Sequence, residues 1–186
     1  MATCGNLHEA ERFPGGQVHL IYRARHFIPA PLEVIEPLWL RFSQLGDAFD
    51  PPPGSWDETE TAPDGDVLRT IHRPHPRWTY HCTARLAEPR ALSLDVQIRT
   101  GRALVAHLES RERIFATGFE TAWDVEWDGE PGPGLAKLAW GRVAKRLTRE
   151  LAAEGEHRYH CMCEEAIKSP WARALEAKSE AALEGR

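Results

Sequence analysis

The first regular pattern along the chain is an alternation of inward and outward positions over residues 18–26. One face of this segment carries Val18, Leu20, Tyr22, Ala24 and His26, and the other carries His19, Arg23 and Arg25. An alternation with a period of two predicts a half-buried β-strand. The next segment, "PAPLEVIEPLWLRF", predicts a helix that begins after Pro31. We expect Pro37 to divide it into two short helices, because an interior proline removes a hydrogen bond.

Six further segments between residues 55 and 128 are predicted to be strands, and they come in three pairs joined by turn sequences. The first pair, "SWDETE" and "DVLRTIHR", flanks "APDG", and the second pair, "RWTYHCTARL" and "ALSLDVQIR", flanks "AEPR". The third pair, "ALVAHLESRERIF" and "FETAWDVEWD", flanks "ATG", and its last strand places Phe119, Thr121, Trp123, Val125 and Trp127 on one face. Consecutive strands with short reversals predict an antiparallel meander.

After "GEPGPG" the pattern changes to a helical period. The apolar face carries Ala136, Trp140, Val143, Ala144, Leu147 and Leu151, and the basic face carries Arg142, Lys145, Arg146 and Arg149. The basic face is expected to be solvated. The apolar stripe stops at Glu154 and Arg158, and a new stripe begins that contains Tyr159, Met162, Cys163 and Ala166. We therefore expect a break or kink at Gly155.

A strand, helical residues, a meander and a long amphipathic helix follow one another in this chain. This order, together with "ARHFIPAPLEVIEPLWLRF", resembles the helix-grip fold of Bet v 1-like proteins, START domains and the polyketide cyclase/dehydratase group. The resemblance covers about residues 18–153 and implies an α+β protein whose curved antiparallel sheet wraps the long C-terminal helix around an apolar cavity. We expect a flexible N-terminal arm (1–17), a ligand-binding domain (18–168) and a helical tail (169–186). In the family the long helix usually ends the chain, whereas about thirty residues follow it here.

Charge and cysteine usage exclude several classes of protein. The net charge of −5 argues against a general nucleic-acid binder. We expect no membrane span, because no apolar run approaches the roughly 20 residues required. The start of the chain does not resemble a secretion signal. Cysteines at positions 4, 82, 161 and 163 form no disulfide framework, which favours the cytoplasm. We expect a monomer or a homodimer.

The inward faces of the predicted strands supply the candidate binding residues. Their polar members are Tyr22, His26, Tyr80, Cys82 and Thr121. The large apolar side chains around them are Trp78, Trp123 and Trp127, and the helix would contribute Trp140, Val143 and Leu147. Aromatic walls with a few hydrogen-bonding groups are typical of a small-molecule site. We expect the tryptophan rings to converge on one cavity opposite Trp140.

His26 and Tyr80 are the candidate catalytic residues. A histidine exchanges protons near neutral pH, and a tyrosine hydroxyl can orient or protonate a carbonyl group. The resemblance to the cyclase/dehydratase group implies a hydrophobic, aromatic or polyketide-like ligand that undergoes cyclisation or dehydration without a cofactor. The alternative is a binding or carrier protein that performs no chemistry.

A third hypothesis is a metal-dependent protein that uses "EGEHRYHCMCEEAIK". Its candidate ligands are His157, His160, Cys161 and Cys163. Residues four apart on a helix can clasp a metal, but this spacing matches no zinc motif, so we expect no metal there. The histidines of "HRPHPRWTYHC", at positions 72, 75 and 81, are expected to be exposed on and beside a proline-stiffened loop.

Overall fold

The computed structural model describes residues 6–8, 20–43, 56–73, 77–175 and 177. Its elements in chain order are β1 (Asn6–His8), β2 (Leu20–Ile28), α1 (Leu32–Ser43), β3 (Trp56–Thr61), β4 (Val67–Arg73), β5 (Trp78–Glu88), β6 (Ala91–Thr100), β7 (Ala103–Thr117), β8 (Glu120–Pro131) and α2 (Leu135–Ile167). Within the described residues, eight strands form one antiparallel sheet in the order β1-β2-β8-β7-β6-β5-β4-β3. The predicted meander from β3 to β8 is confirmed, and β2 returns to pair with β8.

The N-terminal arm differs from the prediction at Asn6–His8, which pairs with β2. This short strand covers an edge of β2 that would otherwise present unpaired backbone groups. The remaining residues of the predicted arm lie outside the described residues, as do Val18, His19 and most of the loop before β3.

The predicted inward faces of β2 and β8 are buried. On β2 the buried side chains include Tyr22, Ala24, His26 and Ile28, whereas Arg23 and Arg25 are exposed. On β8 they include Thr121, Trp123, Val125 and Trp127. Phe119 was expected to join them, but it lies in the turn before β8 and is 92% exposed. That turn is tight and uses Gly118 at φ 69°, a conformation that favours glycine.

Pro37 does not divide α1, which is one helix from Leu32 to Ser43. The proline faces solvent, while Ile35, Trp39 and Phe42 on the other side are buried. Most of the stability of a short helix comes from packing of its apolar face. That packing outweighs the hydrogen bond that Pro37 removes.

Gly155 does not break α2, which is one helix of 33 residues. A Cβ atom at Gly155 would lie 2.7 Å from the hydroxyl oxygen of Tyr22 on β2. Tyr22 is fully buried, so the glycine provides the space in which this ring packs against the helix. The predicted break is therefore wrong, and the glycine marks a close approach between α2 and the sheet.

We expect Gly155→Ala to lower the free energy of unfolding by about 1 kcal/mol, because overpacking outweighs the better helix propensity of alanine. Gly141→Ala is the matched control in the same helix, since nothing lies within 4 Å of its Cβ position. That control should stabilise the protein by up to about 1 kcal/mol. Urea unfolding measures both. If Gly155→Ala is as stabilising as Gly141→Ala, the packing explanation is wrong. In a Tyr22→Phe background, which lacks the crowded hydroxyl, Gly155→Ala should no longer destabilise the protein.

The described part of the C-terminal tail is helical at residues 170–175. Ser169 precedes this turn, and its hydroxyl accepts a hydrogen bond from the backbone N–H of Ala172 at 3.4 Å. Residues 178–186 lie outside the described residues, so the tail as a whole stays a prediction. No helix among the described residues combines the length and apolarity that crossing a bilayer requires.

Candidate functional site

A cavity of about 160 Å³ lies between the sheet and α2, and we call it the α2 cavity. Its apolar walls come from β4 to β8, from α2 and from the end of α1, and they include Val67, Ile71, Val96, Leu108, Trp127 and Leu147. Alternation along each strand directs these side chains to the same face. The result is a largely apolar space with polar groups at its two ends.

Tyr80, Arg73 and Glu150 form the outer end of the α2 cavity. The Tyr80 hydroxyl donates to Glu150 Oε2 at 3.5 Å, and Arg73 Nη1 donates to the same oxygen at 3.1 Å. The Arg73 guanidinium also lies 4.8 Å from the centroid of the Tyr80 ring. Burial, and next the negative charge of Glu150, raises the pKa of the Tyr80 hydroxyl well above its usual value. Tyr80 therefore stays protonated, and a ligand acceptor would take the place of Glu150 as the partner of its single O–H.

Arg158 marks the inner end, where it forms a buried ion pair with Glu112 on β7. Arg158 Nη1 donates to Glu112 Oε1 at 2.9 Å and to Ser43 Oγ at 3.1 Å. The other oxygen of Glu112 accepts hydrogen bonds from the indole N–H groups of Trp39 at 3.3 Å and Trp123 at 3.1 Å. Burial opposes the charge on Arg158 most strongly, yet nearby Glu112 and Glu154 hold its pKa above the usual value. Arg158 therefore keeps its charge inside the protein, facing the Glu112 carboxyl group.

The sequence contained a signal for this pair that the prediction did not use. On β7 the buried positions Leu108, Ser110, Glu112 and Ile114 alternate strictly with exposed ones. Glu112 therefore shares the inward face with its apolar neighbours. A charged residue at an inward position indicates a buried partner, and Arg158 on the predicted apolar side of α2 is that partner.

His26 is fully buried and lies between two aromatic rings, outside the lining of the α2 cavity. Its ring centroid is 4.9 Å from that of Trp123 and 5.2 Å from that of Tyr159. Burial, and next the positive charge of Arg158, lowers the pKa of His26 to about 4. His26 is therefore neutral at neutral pH, and the structure does not place it with Tyr80.

Of the predicted binding residues, the α2 cavity is lined by Tyr80, Cys82, Trp127 and Leu147. Burial raises the pKa of the Cys82 thiol to about 12, so this cysteine is a neutral wall group rather than a nucleophile.

The other predicted contact residues lie outside the cavity lining. Tyr22 packs against Gly155, and the Thr121 hydroxyl donates to the backbone oxygen of Ala30 at 2.9 Å. Trp78 lies under the Arg146 guanidinium, 5.0 Å from ring centroid to carbon.

The tryptophan rings do not converge as expected. Trp140 is buried and Val143 half-buried on α2, but neither lines the α2 cavity. Of the tryptophans predicted to meet there, Trp127 is the one in the described lining, whereas Trp123 supports Glu112.

The residues of the alternative metal hypothesis are not gathered into a ligand set. Cys161 Sγ lies 3.7 Å from His157 Nε2, while the ring of His160 packs edge-on to Tyr159 at 5.4 Å. Elsewhere, His72 stacks on Trp56 at 3.8 Å, and His75 lies outside the described residues.

Within the described residues, the three potential ligands that do lie within 4.8 Å of one another are Asp95, His107 and Glu109. They belong to β6 and β7, at positions that alternate with the buried ones. His107 Nε2 lies 2.7 Å from Asp95 Oδ2, a hydrogen bond that raises the pKa of His107. The hydrogen bond between His107 and Asp95 accounts for this arrangement.

Comparison with known proteins shows what this architecture resembles. No family model and no curated protein matches the sequence. A conserved protein from Geobacillus kaustophilus has a similar structure, with a TM-score of 0.58, 13% identity, and coverage of 81% of this chain and 97% of that one. The Zhui aromatase/cyclase from a Streptomyces species has a TM-score of 0.55 and 12% sequence identity. The match covers 81% of this chain and 94% of that one. Norcoclaurine synthase from Thalictrum flavum has a TM-score of 0.54 and 15% sequence identity. The match covers 80% of this chain and 88% of that one.

This chain has the helix-grip fold. The fold class expected from the sequence, a curved antiparallel sheet with a long C-terminal helix, is thereby confirmed. At these sequence identities the likeness concerns the fold alone. In this helix-grip protein, the α2 cavity lies between the sheet and the long helix.

Proposed function

We propose that the protein binds a small hydrophobic molecule with an aromatic ring in the α2 cavity. The observation that carries this proposal is the lining itself, in which apolar side chains surround a space bounded by Tyr80 at one end and Arg158 at the other. A mostly apolar concavity with a few convergent polar groups is the usual form of a small-molecule site.

The size of the α2 cavity limits the part of the ligand that is enclosed. Its volume of about 160 Å³ is close to that of an engineered apolar cavity of roughly 150 Å³ that holds one benzene molecule. In the lining, the side chains of Glu150 and Glu154 are 28% and 31% exposed, whereas that of Arg158 is 5% exposed. A longer, polyketide-like ligand would therefore place one ring inside and extend past Tyr80 towards solvent.

Cyclisation or dehydration is the chemistry that we propose for such a ligand. Tyr80 supports it, because its protonated hydroxyl can exchange the long hydrogen bond to Glu150 for one to a ligand carbonyl, which favours the enol form of that carbonyl. Two of the similar structures are, by name, an aromatase/cyclase and norcoclaurine synthase. Since Cys82 is a neutral thiol, rate enhancement would come from orientation of the ligand in an apolar cavity rather than from a nucleophile. The alternative, a carrier, uses the same cavity without turnover.

The location that we propose is the cytoplasm. The described cysteines Cys82, Cys161 and Cys163 are free thiols, which suits a reducing compartment. The monomer or homodimer stays a prediction.

Filling the α2 cavity tests the proposed function. Ala84 is 4% exposed and lines the cavity, so Ala84→Leu should project an isobutyl group into the space that the ring needs. We expect binding of ethylbenzene to weaken by about tenfold or more, since fewer wall contacts remain for the ring. Ligand-observed NMR titration gives the dissociation constants.

Ala136→Leu is the matched control, because Ala136 is half-buried in the first turn of α2 and does not line the cavity. It adds the same group and should leave the affinity unchanged. Equal affinities for the parent and Ala84→Leu would place the binding site elsewhere.

A further inference from the structure

Arg158 has a hydrogen-bond donor for which the described part of the chain supplies no acceptor. Its side chain is 5% exposed, and its Nη1 donates to Glu112 and Ser43. No described residue accepts a hydrogen bond from its Nε. Glu154 Oε1 is 3.8 Å away from Nε, which is too long for a hydrogen bond. A buried donor without an acceptor is unfavourable, and Arg158 belongs to the lining of the α2 cavity.

We infer that Arg158 is a specificity-determining residue whose Nε donates a hydrogen bond to an uncharged oxygen of the ligand, a carbonyl or a hydroxyl, at the inner end of the α2 cavity. This inference rests on the proposed function, because it needs a ligand in that cavity. It adds the orientation of the ligand, with its oxygen inward at Arg158 and its remaining substituents towards Tyr80.

The charges around Arg158 favour a neutral acceptor over an anion. Two carboxyl groups already lie beside its guanidinium: Glu112 Oε1 is 2.9 Å from Nη1, and Glu154 Oε1 is 3.8 Å from Nε. A carboxylate ligand would become the third anion around one guanidinium, and like charges at short range repel. The other arginines in the lining are also paired, Arg69 with Asp57 and Arg73 with Glu150. A neutral oxygen satisfies Nε without an additional charge.

The position of the Arg158 donor is determined by the groups around it. Glu112 is held by the indole N–H groups of Trp39 and Trp123, and the Arg158 guanidinium carbon lies 4.9 Å from the Trp123 ring centroid. A donor that is already ordered loses little conformational entropy when the ligand binds. The predicted binding residue Trp123 would therefore contribute to specificity indirectly, by orienting Glu112 and Arg158.

Three single-ring probes test the inference on the unmodified protein: ethylbenzene, acetophenone and benzoate. We expect acetophenone to bind about tenfold or more tightly than ethylbenzene, because it alone offers an acceptor to a charged donor without adding charge. Benzoate should bind more weakly than acetophenone. If ethylbenzene binds as tightly as acetophenone, or benzoate binds most tightly, the inference is wrong while the proposed function stands. If none of the three binds, the proposed function fails and the inference fails with it.

Two variants connect the preference to Arg158. Arg158→Lys keeps a positive charge for Glu112 but removes Nε, so the ratio of its acetophenone affinity to its ethylbenzene affinity should fall to about one. Glu154→Gln removes the carboxylate at 3.8 Å, and its partly exposed position makes it a tolerant site. It should raise the ratio of benzoate affinity to ethylbenzene affinity several-fold. Retention of the acetophenone preference in Arg158→Lys, or an unchanged ratio of benzoate to ethylbenzene affinity in Glu154→Gln, would contradict the assignment.

Discussion

Replacing Glu112 with glutamine should lower the free energy of unfolding by about 3–5 kcal/mol, because it leaves the charge of Arg158 buried without its main counter-ion. Glu112 is 1% exposed and the Arg158 side chain 5%, so water cannot replace the lost carboxylate. Trp39 and Trp123 would also lose the charged acceptor of their indole N–H groups. Urea unfolding followed by tryptophan fluorescence measures the change.

Glu126→Gln is the matched control on the neighbouring strand β8. Glu126 pairs with Arg23 at 2.7 Å, but the two side chains are 37% and 60% exposed, so its loss should cost less than about 1 kcal/mol. The double variant Glu112→Leu, Arg158→Met should recover most of the stability, because an apolar pair has no charge to desolvate. Similar losses for Glu112→Gln and Glu126→Gln would show that the buried pair is solvated in solution.

Acidification should destabilise the protein through His26. The pKa of His26 is lowered from 6.5 to about 4 in the folded protein, first by burial and then by Arg158. Between these values the unfolded chain binds a proton that the folded protein does not, so stability falls as the pH falls. The contribution of His26 is complete above about pH 6.5 and is lost progressively towards pH 4, a change of about 3 kcal/mol.

The His26→Phe variant isolates this effect, because phenylalanine keeps a ring between Trp123 and Tyr159 but does not titrate. We expect a shallower dependence of the unfolding free energy on pH between 6.5 and 4 in the variant than in the parent. The pKa of His107 is raised by Asp95, so the contribution of His107 to stability increases as the pH falls. Because His107 is present in both proteins, its contribution cancels in the comparison. The same slope in both proteins would show that folding does not lower the pKa of His26.

Alternation and turn chemistry were sufficient to predict the meander from β3 to β8, but not the strand β1. The β3–β4, β5–β6 and β7–β8 hairpins each have their turn where proline, glycine or aspartate interrupts the alternating pattern, as at Gly118. Local propensity failed at Pro37 and Gly155, where the surrounding packing decides the conformation. Pro37 faces solvent on a helix held by its other side, and Gly155 makes room for Tyr22. In both cases the deciding contacts are made with residues distant in sequence, so the local sequence does not reveal them.

The candidate site was only partly predictable, and α2 shows why. The stripe of α2 that faces the core continues through the whole helix at intervals of three and four residues. Its members are Trp140, Ala144, Leu147, Leu151, Gly155, Arg158, Met162 and Ala166. Because Gly155 and the buried Arg158 are not hydrophobic residues, the hydrophobicity pattern is interrupted there, and the sequence predicted two apolar stripes instead of one. Alternation also indicates the face of a strand but not the position along it, which is why Trp123 and Trp127 share a face of β8 and have different neighbours.

The pairing of β2 with β8 has a consequence for the order of folding. Tyr22 lies opposite Trp127, and the ion pair of Arg25 with Asp124 joins residues 99 positions apart. Such distant contacts close a long loop, which costs entropy before any hydrogen bond compensates. During synthesis β2 leaves the ribosome long before its partner exists, and α2, which covers Tyr22 and His26, comes later still. The inner face of β2 therefore stays exposed until nearly all of the domain that follows it has been synthesised.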